Sequence, residues 1–218
     1  MSSLRSAIRN GIPFSTELYE FQDNRRRLAK SRKQIASLKA SGREISLDLG
    51  GGDRKGTNGW LTVDMTHNCD FYWDLRLGIP FNDNSVSRIY SSHMFEHLTY
   101  AEGQGLLDEC MRALKPGGSF SIVVPNAGMY IEGYVGQREL PEEYFGWEPG
   151  YNRTTRIDAL NYVAYMAGEH KYMFDQENLL HILNAKGFVN VSARPFDPAT
   201  DMQERDFESI YAIGFKPE

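Results

Sequence analysis

Short apolar runs alternate along this chain with segments whose apolar residues recur three or four positions apart. Ile45 to Leu49 reads as a short strand and runs into Gly50, Gly51 and Gly52. Trp60 to Val63 reads as a second strand closing on Asp64. Val86 to Ser91 reads as another after the turn-forming Asn82, Asp83 and Asn84. A helix is predicted over about 100–115, with Leu107, Cys110, Met111 and Leu114 as its apolar stripe. Thr99 and Glu102 suggest a capping box, and Pro116, Gly117 and Gly118 stop it. Phe120 to Val124 is almost wholly apolar, as expected of a strand covered on both faces. Gln176 to Lys186 reads as a helix capped by Asp175, burying Leu179, Leu180, Ile182 and Leu183, with Gly187 at the left-handed exit. Two last strands fall near 188–193 and 209–215. This alternation predicts an open α/β sheet with its binding crevice beyond the carboxyl ends of the strands.

Two regions stand outside that rhythm. Residues 21–43 carry Arg25, Arg26, Arg27, Lys30, Arg32, Lys33, Lys39 and Arg43 against one acid, Asp23. They predict a basic helix over 20–40, ended near Gly42, with Leu28, Ile35 and Leu38 on one face. Such a helix straps across a core or offers a surface to a phosphorylated partner or an acidic lipid; the interleaved aromatics of a nucleic-acid module are absent. Residues 126–170 contain Tyr130, Tyr134, Tyr144, Phe145, Trp147, Tyr151, Tyr162 and Tyr165, too many aromatics for a disordered linker. The predicted division is an N-terminal helical extension over 1–43 and a main domain over 44–218, with 126–170 as a lid or acceptor-binding insert.

Composition narrows the function. A chain of 218 residues can bury roughly 70% of its unfolded surface without metal or disulfide staples. The net charge of −5 argues against a duplex-coating nucleic-acid binder. Two cysteines, Cys69 and Cys110, cannot build a disulfide framework or a four-thiolate zinc site. No run of 18 apolar residues is present, and the first 20 residues lack the apolar core of a signal peptide, so a cytoplasmic location is expected.

The strand ends carry the chemistry. The glycines after Asp48 let a ligand approach the backbone. They match neither a phosphate-cradling GxxxxGK[ST] nor a dinucleotide GxGxxG, since Lys55 stands where a small residue belongs. Asp48 beside this loop repels a pyrophosphate and welcomes an ammonium or sulfonium. Asp64 is placed to accept hydrogen bonds from ribose hydroxyls, and Asp74 from an exocyclic amine. Together these acids describe a nucleoside with a cation at its far end, the shape of S-adenosylmethionine.

The ordered segments Asp48–Leu49–Gly50–Gly51–Gly52, Gly59–Trp60–Leu61–Thr62–Val63–Asp64, Asp74–Leu75–Arg76 with Pro80–Phe81, Ser91–Ser92–His93–Met94–Phe95–Glu96–His97–Leu98 and Arg112–Ala113–Leu114–Lys115–Pro116–Gly117–Gly118 make the specific case. Over about residues 44–125 the chain resembles class I S-adenosylmethionine-dependent methyltransferases. Among them it is most similar to the type 11-like bacterial subgroup that often accompanies surface-polysaccharide biosynthesis. The resemblance implies a Rossmann-like, mostly parallel seven-stranded sheet with helices on both faces and an antiparallel edge strand. It places Asp48 and the Gly50, Gly51 and Gly52 backbone on the methionine side, Asp64 on the ribose, Met65 against the adenine, and Asp74 with Leu75 at the adenine edge. Ser92 and His93 would approach the donor methyl. Arg54 stands where the family often has a further glycine. The 11 residues between Gly52 and Asp64 leave room only for a short helix or 3₁₀ turn.

Methyl transfer to a hydroxyl needs alignment and a base. His170 or His93, with Glu96 as helper, is the expected catalytic set; His97 reads as structural. His67, Cys69, Asp70 and Asp74 match no metal-ligand pattern, and no metal is assigned. Glu132, Glu139, Glu142, Glu143 and Glu148, partly balanced by Arg138 and Arg153, disfavour a polyanionic acceptor. The expected activity is O-methylation of a sugar, glycan or other small molecule. The alternatives are N-methylation of an amino sugar or protein, or a noncatalytic scaffold that keeps the cofactor fold. No stable nucleic-acid partner and no membrane span are expected; a homodimer or partner contact would use the N-terminal helix.

Overall fold

The computed structural model describes residues 14–140 and 154–218. Seven strands form one sheet: β1 (Ser46–Leu49), β2 (Trp60–Asp64), β3 (Phe71–Tyr72), β4 (Val86–Ser92), β5 (Leu114–Pro125), β6 (Val189–Ala193) and β7 (Ser209–Phe215), in the order β3-β2-β1-β4-β5-β7-β6. Strands β1 to β5 pair in parallel, and β7 runs antiparallel to both β5 and β6. The expected Rossmann-like sheet is present. The chain leaves β1 toward β2 on one side and places β4 on the other, so the switch point lies between β1 and β4.

Five helices accompany the sheet among the described residues: α1 (Phe14–Ala40), α2 (Tyr100–Ala113), α3 (Ala127–Val135), α4 (Arg156–Tyr165) and α5 (Gln176–Ala185). The Thr99–Glu102 capping box forms at the start of α2, and Asp175 caps α5 by accepting from the Asn178 amide. The covering is uneven. Ile35 of α1, Leu106 and Leu107 of α2 and Leu179 and Leu183 of α5 join Leu47, Leu49, Ile89, Phe120 and Ile122 in one large core. Alternation sends the intervening strand residues to the opposite face. There Tyr90, Val123 and Tyr211 form a smaller cluster with Trp60 and Phe196. The connection after β6 crosses this second face, where Arg194 pairs with Asp201 at 2.6 Å.

The short helix or 3₁₀ turn expected between Gly52 and Asp64 does not form. Side chains from the β2–β3 connection hold this loop instead. Asp70 Oδ2 accepts from the Gly56 and Thr62 amides, and Asp53 accepts from the Asn68 amide. Those hydrogen bonds satisfy backbone donors that a helical turn would otherwise engage. The two-residue strand β3 had no pattern of its own in the sequence, because so short a run has no visible period.

The α1 helix begins earlier than its charge pattern suggested and is strapped to the sheet edge. Ser31 accepts from the Tyr72 amide, Lys39 donates to Asn82, and the Arg32 guanidinium lies 5.9 Å from the Trp73 ring. In the aromatic insert, α3 and α4 pack together through Met129, Tyr130, Ala159, Tyr162 and Val163. Tyr134 and Tyr165 are exposed. Tyr144, Phe145, Trp147, Tyr151, Glu142, Glu143, Glu148 and Arg153 lie outside the described residues. No helix among the described residues is long and apolar enough to cross a membrane.

Candidate active site

Three strands deliver the site. At the end of β1 the chain turns at Gly50, whose amide donates to the Val63 carbonyl at 2.9 Å. Gly50 has φ +73°, and a Cβ there would land on the Met94 side chain. Glycine at this point is therefore a packing requirement as well as a conformational one. At the end of β2, Asp64 Oδ2 accepts from the Gly52 amide at 3.0 Å and Oδ1 from the Thr66 amide at 3.0 Å. These bonds aim the carboxylate and leave a lone pair on each oxygen for a ligand. At the end of β4, His93 turns into left-handed backbone at φ 49°.

Gly50, Asp64, Met65, Trp73, Asp74, Leu75, Arg76, His93, Met94, His97 and Leu98 line one open cleft of about 450 Å³. That volume lies in the range of small-molecule sites. Asp74 caps a 3₁₀ turn, Leu75–Leu77, and is gripped by Arg76, whose Nε and Nη2 donate to its two oxygens at 2.9 and 2.8 Å. The Arg76 hydrogen bonds hold the Asp74 carboxyl below its ordinary range. Met65 is half exposed at the cleft.

Asp48, Gly51, Gly52 and Ser92 do not line this cleft. Asp48 opens onto a separate hollow of about 180 Å³ with Arg54, Lys55, Trp60 and Tyr90. A Cβ on Gly51 would lie 2.6 Å from Asp48 Oδ2, so the carboxylate meets the glycine loop against the Gly51 backbone. Burial raises its pKa to about 6, opposed by Arg54 at 3.4 Å. The reason is strand parity: Asp48 and Leu49 point to opposite faces, and Leu49 takes the core side. Ser92 follows the same parity and bonds beside Tyr90. Of the three strand-end acids, Asp64 and Asp74 line the cleft and Asp48 the neighbouring hollow.

Behind the cleft lies a small cavity of about 40 Å³, lined by His93, Glu96, His97, Pro125, Tyr162, Val163, Met166, His170, Arg205 and Glu208. His93 and His97 line both spaces and form the partition between them. His93 Nε2 lies 2.8 Å from Ser209 Oγ, and Ser209 itself donates to the Arg205 carbonyl at 2.5 Å. The Ser209 proton is thus committed, and His93 must donate from Nε2, leaving a lone pair on Nδ1. That lone pair faces Glu96 Oε1 at 3.6 Å. His170 Nδ1 likewise bonds the Val163 carbonyl at 2.8 Å, which fixes its free lone pair on Nε2. The His97 and His170 rings meet edge to face at 5.0 Å.

Burial governs the ionisation here. It pushes Glu96 up to about 8 and drives His93 well below the usual histidine value; His97 and His170 fall in the same direction. Of the sequence-based catalytic set, His93, Glu96 and His170 converge, and His97 joins them. Arg205, Glu208, Ser209, Met94 and Trp73 were not visible as site residues. Glu208 and Ser209 arrive with the last strand, where no motif marks them. His67, Cys69, Asp70 and Asp74 bond elsewhere: Cys69 Sγ donates to the Thr66 carbonyl, and Asp70 holds the loop described above. A larger hollow of about 640 Å³, lined from Gly133 to Leu140 and from Thr154 to Ala159, is reached by neither Asp64 nor His93.

Residues 66–122 match the family model described as a methyltransferase domain. No curated protein matches the sequence. Phosphoethanolamine N-methyltransferase 2 from Haemonchus contortus, solved with S-adenosyl-L-methionine, superposes with a TM-score of 0.50 at 15% identity, covering 87% of this chain and 53% of that one. The present chain therefore spans about half the length of that neighbour. A possible histamine N-methyltransferase from Thermotoga maritima gives a TM-score of 0.50 at 13% identity, covering 93% and 96% of the two chains. Sheet order and switch-point cleft agree with the class I methyltransferase fold, and residues 66–122 are similar to a methyltransferase domain.

Proposed function

We propose that this protein transfers a methyl group from S-adenosylmethionine to a hydroxyl of a small molecule, with a sugar or glycan as the acceptor class. The observation that carries this reading is Asp64, aimed by the Gly52 and Thr66 amides into the cleft that His93 closes. Asp64 would take the ribose hydroxyls, Met65 the adenine face and Asp74 with Leu75 its edge, while the bare Gly50 turn admits the methionine. The bound cofactor supplies the electrophilic methyl. The protein supplies alignment and a proton acceptor. His93 stands on the partition with Glu96 next to its Nδ1, so an acceptor hydroxyl would reach that lone pair from the Glu96 side. His170 sits behind that partition and orients the inner cavity.

An amine acceptor is the second reading, prompted by the two N-methyltransferase neighbours. Product mass and linkage after turnover with labelled cofactor and candidate acceptors separate oxygen from nitrogen transfer. The cofactor site is tested by calorimetric titration with S-adenosylhomocysteine. Asp64→Ala should weaken binding about a hundredfold, two hydrogen bonds to a charged group being worth about 3 kcal/mol together. Equal affinity would remove Asp64 from the ribose; no binding by folded wild type would favour the scaffold reading.

A further inference from the structure

The inner cavity gathers a carboxyl group and three imidazoles beside the Arg205 guanidinium. Glu96 is 2% exposed, and its Oε2 has no hydrogen-bond partner among the described residues. His93 Nδ1 faces Glu96 Oε1 with a lone pair, and His170 keeps its Nε2 lone pair because Nδ1 bonds Val163. His97 Nε2 lies 3.9 Å from Glu96 Oε1. Ligand atoms from Glu96, His97 and His170 all lie within 4.8 Å of one another. A buried carboxylate oxygen left unpaired costs free energy, and lone pairs that face one another repel. A cation between them removes both penalties.

We propose that Glu96, His97 and His170 bind one divalent transition-metal ion, zinc by the chemistry of the set. Two imidazoles and one carboxylate suit zinc, manganese or iron better than magnesium or calcium, which favour oxygen. Donors held about 2.0–2.2 Å from a common ion lie up to about 4 Å apart, so a small side-chain adjustment closes the set. The Val163 carbonyl on His170 Nδ1 is the kind of outer contact that fixes a metal-binding tautomer. The cavity, about 40 Å³, has room for an ion. Arg205 lines the same cavity and opposes a cation, but Glu208, beside it, shares that field, leaving Glu96 as the anionic ligand. His93 stays outside the set, with its lone pair at the partition. The ion would lie on the acceptor side of that partition. The nearest ligand segment in sequence, Glu96–His97, leaves β4 on a 3₁₀ turn, and His170 arrives from the insert.

The test titrates the full-length, chelator-stripped protein with Zn²⁺ against a chromophoric competitor, then repeats the loading with Co²⁺ and records the visible spectrum. One equivalent of Zn²⁺ is expected. Glu96→Gln and His170→Gln should each lower affinity at least tenfold and change the cobalt bands, whereas His181→Gln, on the exposed side of α5, should leave both unchanged. Circular dichroism and S-adenosylhomocysteine titration report fold and cofactor site separately, so loss of the metal reading leaves the cofactor reading standing. If a variant unfolds, the wild-type stoichiometry and cobalt spectrum decide. Absence of bound Zn²⁺ in folded wild type, or affinity indifferent to Glu96→Gln and His170→Gln, overturns the site and leaves Glu96 as a neutral acid beside His93.

Discussion

The open cleft and the cavity behind it handle charge in opposite ways. In the cleft, Asp64 and Asp74 are held by amides and by the Arg76 fork, so their carboxylates are oriented by donors and remain wet on one side. In the cavity, Glu96, His93 and His170 are packed away from water while His97 reaches the surface, and desolvation dominates the protonation of the buried groups. The first arrangement offers fixed acceptors of the kind that suit hydroxyls and amines. The second stores unfavourable electrostatics that a proton, an ion or a reacting group relieves. Two imidazoles, His93 and His97, line both regions and form the wall between them.

The contrast can be broken most strongly at Glu96. Its ordinary value is 4.5 and its folded value about 8, so between these the native state holds more protons than the unfolded chain. Its contribution to stability is complete below 4.5 and is lost as pH rises through about 8. In chelator, Glu96→Gln should therefore gain on wild type across that window, by on the order of a few kcal/mol. The three histidines, with lowered values, lose stability as pH falls below 6.5, but both proteins share that slope. Urea unfolding at several pH values gives the difference directly; parallel curves would mean that Glu96 is already ionised in the folded protein.

The cleft has a smaller vulnerability at its glycine turn. Gly50→Ala meets both the positive φ and the Met94 side chain, and should cost about 2 kcal/mol or more. Adding Met94→Ala should return the steric part and leave the backbone part. A double variant no more stable than Gly50→Ala would remove Met94 from the explanation. The smallest effect belongs to neither region. Thr99→Ala deletes the capping box of α2 and should lower stability by about 1 kcal/mol without altering cofactor affinity. A change in affinity would show that α2 helps to set the cleft through Leu98.

The sheet was legible because its signals are local. Apolar runs ending in Gly50, Asp64 and Ser92, and caps such as Thr99 and Asp175, act within a few residues of themselves, so strand ends and helix starts follow from the chain alone. Asp64, Met65, Asp74, Leu75 and His93 share the cleft as the sequence suggested. Asp48 does not, because the face a strand residue takes depends on which neighbours fill the core, and Leu47 and Leu49 filled it first. Short crossovers hid β3 and replaced an expected turn with hydrogen bonds from Asp70 and Asp53.

What the sequence by itself determined is the order of the strands' carboxyl ends and the acids placed on them, since periodicity and turn residues are properties of short segments. Only the tertiary structure decided which of those acids share one cleft and that His170, Arg205 and Glu208 meet His93 and Glu96 around one cavity. Burial and charge coupling depend on distances in space. Segments far apart in the chain acquire them only when the insert and the last strand close over the end of β4.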